Sequence, residues 1–171
     1  TPLTNSSITT GGSITINGTG GNGINGSGVH IAYATLSATG GGASTLTING
    51  TGADGGNNGN GVYLFGATLS TSSGAATLRG TGGSTNSYNY GVVFYSGSSI
   101  ATGGSGALTI EGTGGGSVGL SPGVALINGS SASVVNGNMN IRGTGGNGTG
   151  TQNRGVALHS LVNVSASGTG T

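Results

Sequence analysis

The chain has no cysteine and no lysine, and its charge is confined to Arg79, Arg142, Arg154, Asp54 and Glu111. Without cysteine there is neither a disulfide framework nor a thiolate metal site. A formal net charge of +1 leaves no basic patch for nucleic-acid phosphates and no polybasic anchor for an anionic membrane. Nucleic acid is therefore not an expected partner. No apolar run approaches the ~18 residues of a bilayer-spanning helix, so membrane insertion is not expected either. A signal-peptide pattern is missing from these residues, and any export signal is expected outside them. Solubility rests on Ser, Thr, Asn and Gly, a composition that suits an extracellular or cell-surface protein.

Glycine is what the chain has in abundance, 43 of 171 residues. In an aperiodic chain that share would mean low complexity and disorder. Disordered chains combine low hydrophobicity with high net charge, whereas this one is 32% apolar and nearly neutral. Collagen is excluded because the glycines follow no three-residue period. The period is longer. One marker reads SITINGTG from Ser13, TLTINGTG from Thr45, ATLRGTG from Ala76, ALTIEGTG from Ala107 and MNIRGTG from Met139. A second reads GVHI from Gly28, GVYL from Gly61, GVVF from Gly91, and GVAL from Gly123 and again from Gly155. The first glycines of the G-T-G marker (Gly18, Gly50, Gly80, Gly112, Gly143) step by 32, 30, 32 and 31 residues. Such self-similarity marks a stacked array in which each repeat rests on its neighbours.

Inside each unit the apolar residues alternate with period two, the strand signature. The unit from Gly28 gives Val29 and Ile31, Leu36 and Ala38, then Leu46 and Ile48. The next gives Val62 and Leu64, Leu69 and Thr71, then Ala76 and Leu78. Gly/Ser/Asn/Thr turns separate these pairs. A propeller blade wants four strands in a longer repeat, and leucine-rich repeats are shorter with a different pattern. The expected fold is an all-β, single-stranded, right-handed parallel β-helix of about five coils of ~31 residues, with three short strands per coil. Ordering the backbone of one coil costs more than its few inward side chains recover, so coils must fold by stacking. Residues 1–171 read as one solenoid segment, open at both ends and expected to belong to a longer array.

Reactive chemistry is sparse. G-x-G-x-x-G occurs from Gly18, Gly50 and Gly143, but a dinucleotide site needs a following helix, and here a strand follows. Asp54 and Glu111 are nearly two coils apart, too far for a carboxylate pair. A calcium repeat needs an Asp in every turn, and only one turn has it. His30 and His159 read as solvated surface residues. The N-x-S/T sequons at Asn5, Asn17, Asn25, Asn49, Asn128, Asn147 and Asn163 mostly coincide with Asn-Gly turns, which is sufficient reason for them. No catalytic residue, cofactor site or metal site is expected, and the chain does not read as an enzyme.

Outward columns carry more information. Stacked in register, the third strand aligns Asn17, Asn49, Arg79, Glu111 and Arg142, setting Glu111 between two arginines. Beside them run Thr15, Thr47, Thr77 and Thr109, a file that could order water in an ice-like lattice. Threonine also simply suits exposed strand positions, and the neighbouring charged file would spoil a flat surface. The first strand carries an outward apolar stripe instead, with Tyr63, Phe65, Val93, Tyr95 and Ile127 as the candidate interaction face. Two readings stay open for it. Either the preceding glycine-rich loops cover it, or it packs against another fibre, a domain or a glycan.

Through its ITINGTGG, ATLSATGGG and GV-x-L segments, which cover essentially the whole chain, the pattern resembles the β-helical repeats of filamentous-haemagglutinin-like exoproteins and autotransporter passengers. That resemblance implies secretion to the cell surface and a rod used in adhesion or surface structure. The expected function is a non-catalytic structural or adhesive segment of an extracellular fibre. Expected partners are flanking repeats, lateral copies or surface glycans. The alternative is an ice-binding or carbohydrate-binding β-helix.

Overall fold

The computed structural model describes residues 5–168. Two strands lead in, β1 (Ser6–Thr10) and β2 (Ile14–Thr19). Coils of three follow: β3 (Val29–Ala32), β4 (Ala34–Ala38) and β5 (Leu46–Thr51), then β6 (Val62–Phe65), β7 (Thr68–Thr71) and β8 (Ala76–Thr81). The third coil holds β9 (Val92–Tyr95), β10 (Ser99–Thr102) and β11 (Leu108–Thr113), and the fourth β12 (Val124–Ile127), β13 (Ser131–Val134) and β14 (Met139–Thr144). β15 (Val156–His159) and β16 (Asn163–Ala166) complete the described chain. Equivalent strands pair in parallel, giving a first-strand sheet β3-β6-β9-β12-β15, a second-strand sheet β1-β4-β7-β10-β13-β16 and a third-strand sheet β2-β5-β8-β11-β14. The protein is a β-solenoid with three strands per coil, as the period predicts.

Register follows the repeat residue by residue. Ile16, Ile48, Leu78, Ile110 and Ile141 form one ladder, and its three central members are fully buried. Phe94, also fully buried, stands between Leu64 and Leu126 in the corresponding ladder of the first-strand sheet. Period-two alternation places these side chains inside because each strand has one face toward the enclosed core. Thr71 and Thr102 point inward among them, and each hydroxyl is satisfied by donating to a carbonyl, Thr71 to Gly74 and Thr102 to Gly106 at 2.7 Å. Among the described residues no buried side-chain polar atom lacks a partner.

At the corner between third and first strands, two glycine ladders face each other. A Cβ on Gly50 would overlap the carbonyl oxygen of Gly61, and one on Gly80 that of Gly91. This close approach pinches the chain shut, so residues 52–60 and their equivalents leave as a loop and return. The loops stack as the strands do. Asn25 N–H donates to Asn57 O (3.0 Å), Asn58 N–H to Ser87 O (3.3 Å), Tyr88 N–H to Leu120 O (3.1 Å) and Leu120 N–H to Thr151 O (3.1 Å). The result is a fourth column, built of loops, beside the first-strand sheet.

Candidate functional site

Each loop turns through the left-handed region at the residue three before its G-V glycine. The residues are Asn25 (φ 64°), Asn58 (60°), Tyr88 (63°), Leu120 (52°) and Gln152 (70°). Asparagine tolerates this conformation, but tyrosine and leucine are strained there. Polar side chains tie successive loops together. Asn89 Oδ1 accepts from Gly59 N at 2.7 Å, Asn60 Oδ1 from Tyr90 N at 3.0 Å, and Asn153 Oδ1 from Ser121 N at 3.1 Å. The loop column is therefore a wall fixed by hydrogen bonds.

Facing it, the first-strand sheet presents two outward files. One aligns His30, Tyr63, Val93, Ala125 and Ala157, and the other aligns Ala32, Phe65 and Tyr95. In-register stacking brings flat rings one coil apart, a spacing at which they can lie face to face. His30 stacks on Tyr63 at 4.8 Å and 17°, and Phe65 on Tyr95 at 5.7 Å and 22°. Tyr33 meets the edge of Phe65 at 5.0 Å.

Between wall and sheet lies a groove. Its larger compartment, about 530 Å³, is lined on the sheet side by His30, Tyr63, Val93, Tyr95 and Ile127, and on the loop side by Asn25, Ser27, Asn58, Asn60, Tyr88 and Tyr90. Partial burial raises the Tyr63 phenol above its ordinary value, with Tyr95 and Tyr33 adding to the effect. Tyr90 is raised in the same way, by burial first and then by Tyr88 and Tyr95. Both hydroxyls are neutral donors near pH 7. A second compartment of about 320 Å³ continues past Tyr90 and Ile127, which line both.

The candidate face thus divides. Tyr63, Val93, Tyr95 and Ile127 line the groove, while Phe65 sits beside it, sandwiched among Tyr33, Tyr63 and Tyr95. The loops cover the stripe in part. Val93 is 3% exposed and, with buried Ala125 and Ala157, packs under Tyr63, Tyr90 and Ile127. His30 is exposed, yet stacked. Tyr88, Tyr90, Asn25, Asn58 and Asn60 are groove residues that the strand pattern does not reveal, because the loops that carry them have no common motif.

The other two faces differ. On the third-strand sheet Thr15, Thr47, Thr77 and Thr109 align with Asn140. A further exposed file, Thr19, Thr51, Thr81, Thr113 and Thr144, flanks the Asn/Arg/Glu column from the opposite side. An open trough of about 690 Å³ is lined by this second threonine file and the Asn/Arg/Glu column, and not by Thr15, Thr47, Thr77 or Thr109. Its charges are partly spent on each other, since Arg79 Nε donates to Glu111 Oε2 at 2.8 Å. Glu111 makes this bond with Arg79 and not with Arg142, although register aligns all three. Asn49 Nδ2 donates to Asn17 Oδ1 at 2.8 Å. The second-strand sheet is flat in chemistry, with Thr35, Thr68, Ser99 and Ser131 in one file and Ser37, Ser70, Ala101 and Ser133 in the next. Asp54 lies on the loop column, its carboxyl held below the usual range by the Ser84 backbone N–H, at 2.7 Å, and by the Ser84 hydroxyl. Among the described residues, no three of His, Asp and Glu converge as metal ligands would.

Comparison with known proteins finds no matching family model, no matching curated protein and no matching solved structure.

Proposed function

We propose that this chain is a non-catalytic structural and adhesive segment of an extracellular or cell-surface fibre, and that the groove beside the first-strand sheet is where it holds a glycan. One observation carries this reading. The ~530 Å³ compartment combines aromatic rings with amide and hydroxyl groups and contains no carboxylate. A sugar ring has apolar C–H faces and hydroxyl edges, so it suits a site with ring faces on one side and amides on the other. The strained backbone at Tyr88 supports it further, because such strain clusters where a side chain must be held in place. The wall and the sheet are hydrogen-bonded independently of any ligand, so the groove is preformed.

Glycan-array binding tests the proposal. Replacing Tyr63, Phe65 and Tyr95 together with serine should leave the β-sheet circular-dichroism spectrum intact and abolish retention of neutral oligosaccharides. Undiminished retention by a folded triple variant would overturn it. A second reading, ice binding, is favoured by one feature, the two adjacent hydroxyl files of the second-strand sheet. That face carries no charge, unlike the Thr15, Thr47, Thr77 and Thr109 file, which has the Asn/Arg/Glu column beside it. Thermal hysteresis that is lost on Ser70→Tyr and Ser99→Tyr would favour ice over glycan.

A further inference from the structure

The groove changes character along the solenoid axis. In the file His30, Tyr63, Val93, Ala125, Ala157 the side chains shrink from aromatic rings to methyl groups. The sheet-side relief therefore falls away toward the fifth coil. On the loop wall the residue immediately before the G-V glycine runs from Asn60 through Tyr90 and Pro122 to Arg154. The ~320 Å³ compartment beyond Tyr90 and Ile127 is thus lined by Arg154 and His159 where the first compartment has tyrosines and asparagines. Arg154 is exposed and spends one donor, Nη1, on Gln152 Oε1 at 3.2 Å. Its remaining guanidinium donors have no partner among the described residues. No carboxylate lines either compartment. The two acids lie elsewhere, Glu111 on the third-strand sheet and Asp54 on the loop column bonded to Ser84.

We infer that the groove takes an oligosaccharide in one orientation, with neutral rings against the tyrosines and a carboxylate-bearing sugar at Arg154. This deepens the glycan reading and rests on it. Charge complementarity selects the acid, since a guanidinium with free donors forms paired hydrogen bonds to a carboxylate. The shared lining by Tyr90 and Ile127 makes the two compartments one path, so a chain longer than the first compartment can continue into the second. A lone anion would gain little from so exposed a cation. Specificity for it arises because the neighbouring rings hold the rest of the same molecule.

The test compares a neutral xylo-oligosaccharide with the same oligosaccharide carrying a single glucuronate, by titration calorimetry at low salt. The expected result is a preference of about fivefold for the acidic probe. That preference should vanish in Arg154→Gln, weaken in Arg154→Lys, which keeps the charge but not the paired donors, and persist in Arg142→Gln, whose charge lies on another face. Affinity for the neutral probe should not change in Arg142→Gln, and at Arg154 the quantity read is the ratio of the two affinities in each variant. Equal binding of both probes by the unaltered protein, or a preference that survives Arg154→Gln, would overturn the inference while leaving the glycan reading intact. Failure of the protein to bind either probe would overturn both. Arg154 is exposed, so Arg154→Gln should melt like the parent, and a melting curve checks that loss of preference is not loss of fold.

Discussion

At the scale of single residues, the informative positions are those where the local rule is broken. Tyr88 holds φ 63° and is 43% exposed, whereas the first two loops put asparagine at the equivalent place. Left-handed backbone costs a non-glycine residue roughly 1 kcal/mol, and an exposed ring recovers little of that from packing. Tyr88→Asn should therefore raise stability by up to about 1 kcal/mol in urea denaturation while weakening glycan retention. A variant that loses stability along with binding would show that the ring is structural. Titration gives a second residue-scale check. Tyr63 and Tyr90 have folded-state values above the ordinary phenol, so their contribution is fully present below about pH 10 and is lost as pH rises through the folded values. Stability should accordingly fall in alkali, with the phenolate absorbance of Tyr63→Phe and Tyr90→Phe losing its latest-titrating components. Asp54 works in the other direction. Its lowered value means that its contribution is present above about pH 4 and is lost as pH falls through the folded value, a change that Asp54→Asn should remove.

Elements are where the repeat becomes structure, and where its legibility begins and ends. Each strand's inward pairs could be read directly, because a one-residue slip would turn Ile48, Leu78 and Ile110 out into water. The paired glycine ladders explain why the two sequence markers are glycine-centred: Gly80 and Gly91 meet backbone to backbone. Gly80→Ala should destabilise by about 3 kcal/mol or more, since the overlapping atom belongs to a peptide that cannot move aside. Packing predicts a contrast between coils. Phe94→Ala should cost about 3–5 kcal/mol, whereas Leu158→Ala, at a residue already 50% exposed, should cost about 1 kcal/mol. Similar losses in denaturant titrations would contradict the burial described for the two sites. The groove was legible only by half. Its sheet side follows from period two, so Tyr63, Val93, Tyr95 and Ile127 could be named from sequence. The loop side could not, because a hydrogen-bonded backbone turn dictates the wall and accepts Asn25, Asn58, Tyr88, Leu120 or Gln152 at one geometric position. With no residue shared by all five loops there is no motif to read, although the recurring three-residue offset from the G-V glycine is a signal that alignment of the loops alone could have exposed.

For the molecule as a whole, the scarcity of charge separates what holds the rod together from what it can bind. Parallel backbone ladders, a continuous apolar core and neutral side-chain hydrogen bonds account for the stacking. The one ion pair among the described residues, Arg79–Glu111, joins side chains that are 56% and 36% exposed and contributes at most about 1 kcal/mol. Salt screens exposed charges within a Debye length of about 10 Å at 0.1 M, but it has almost nothing to screen here. The melting temperature should consequently stay level as sodium chloride is raised from low to molar concentration. The preference for an acidic over a neutral oligosaccharide should collapse over the same range, because it depends on one exposed cation, Arg154. Measured on the same samples, the two responses must diverge. A melting temperature that drops with salt would mean that charge carries more of the stack than one ion pair allows. A flat melting temperature with a salt-insensitive acidic preference would mean that the acid is recognised away from Arg154, by the neutral donors of Asn25, Asn58 or the tyrosine hydroxyls.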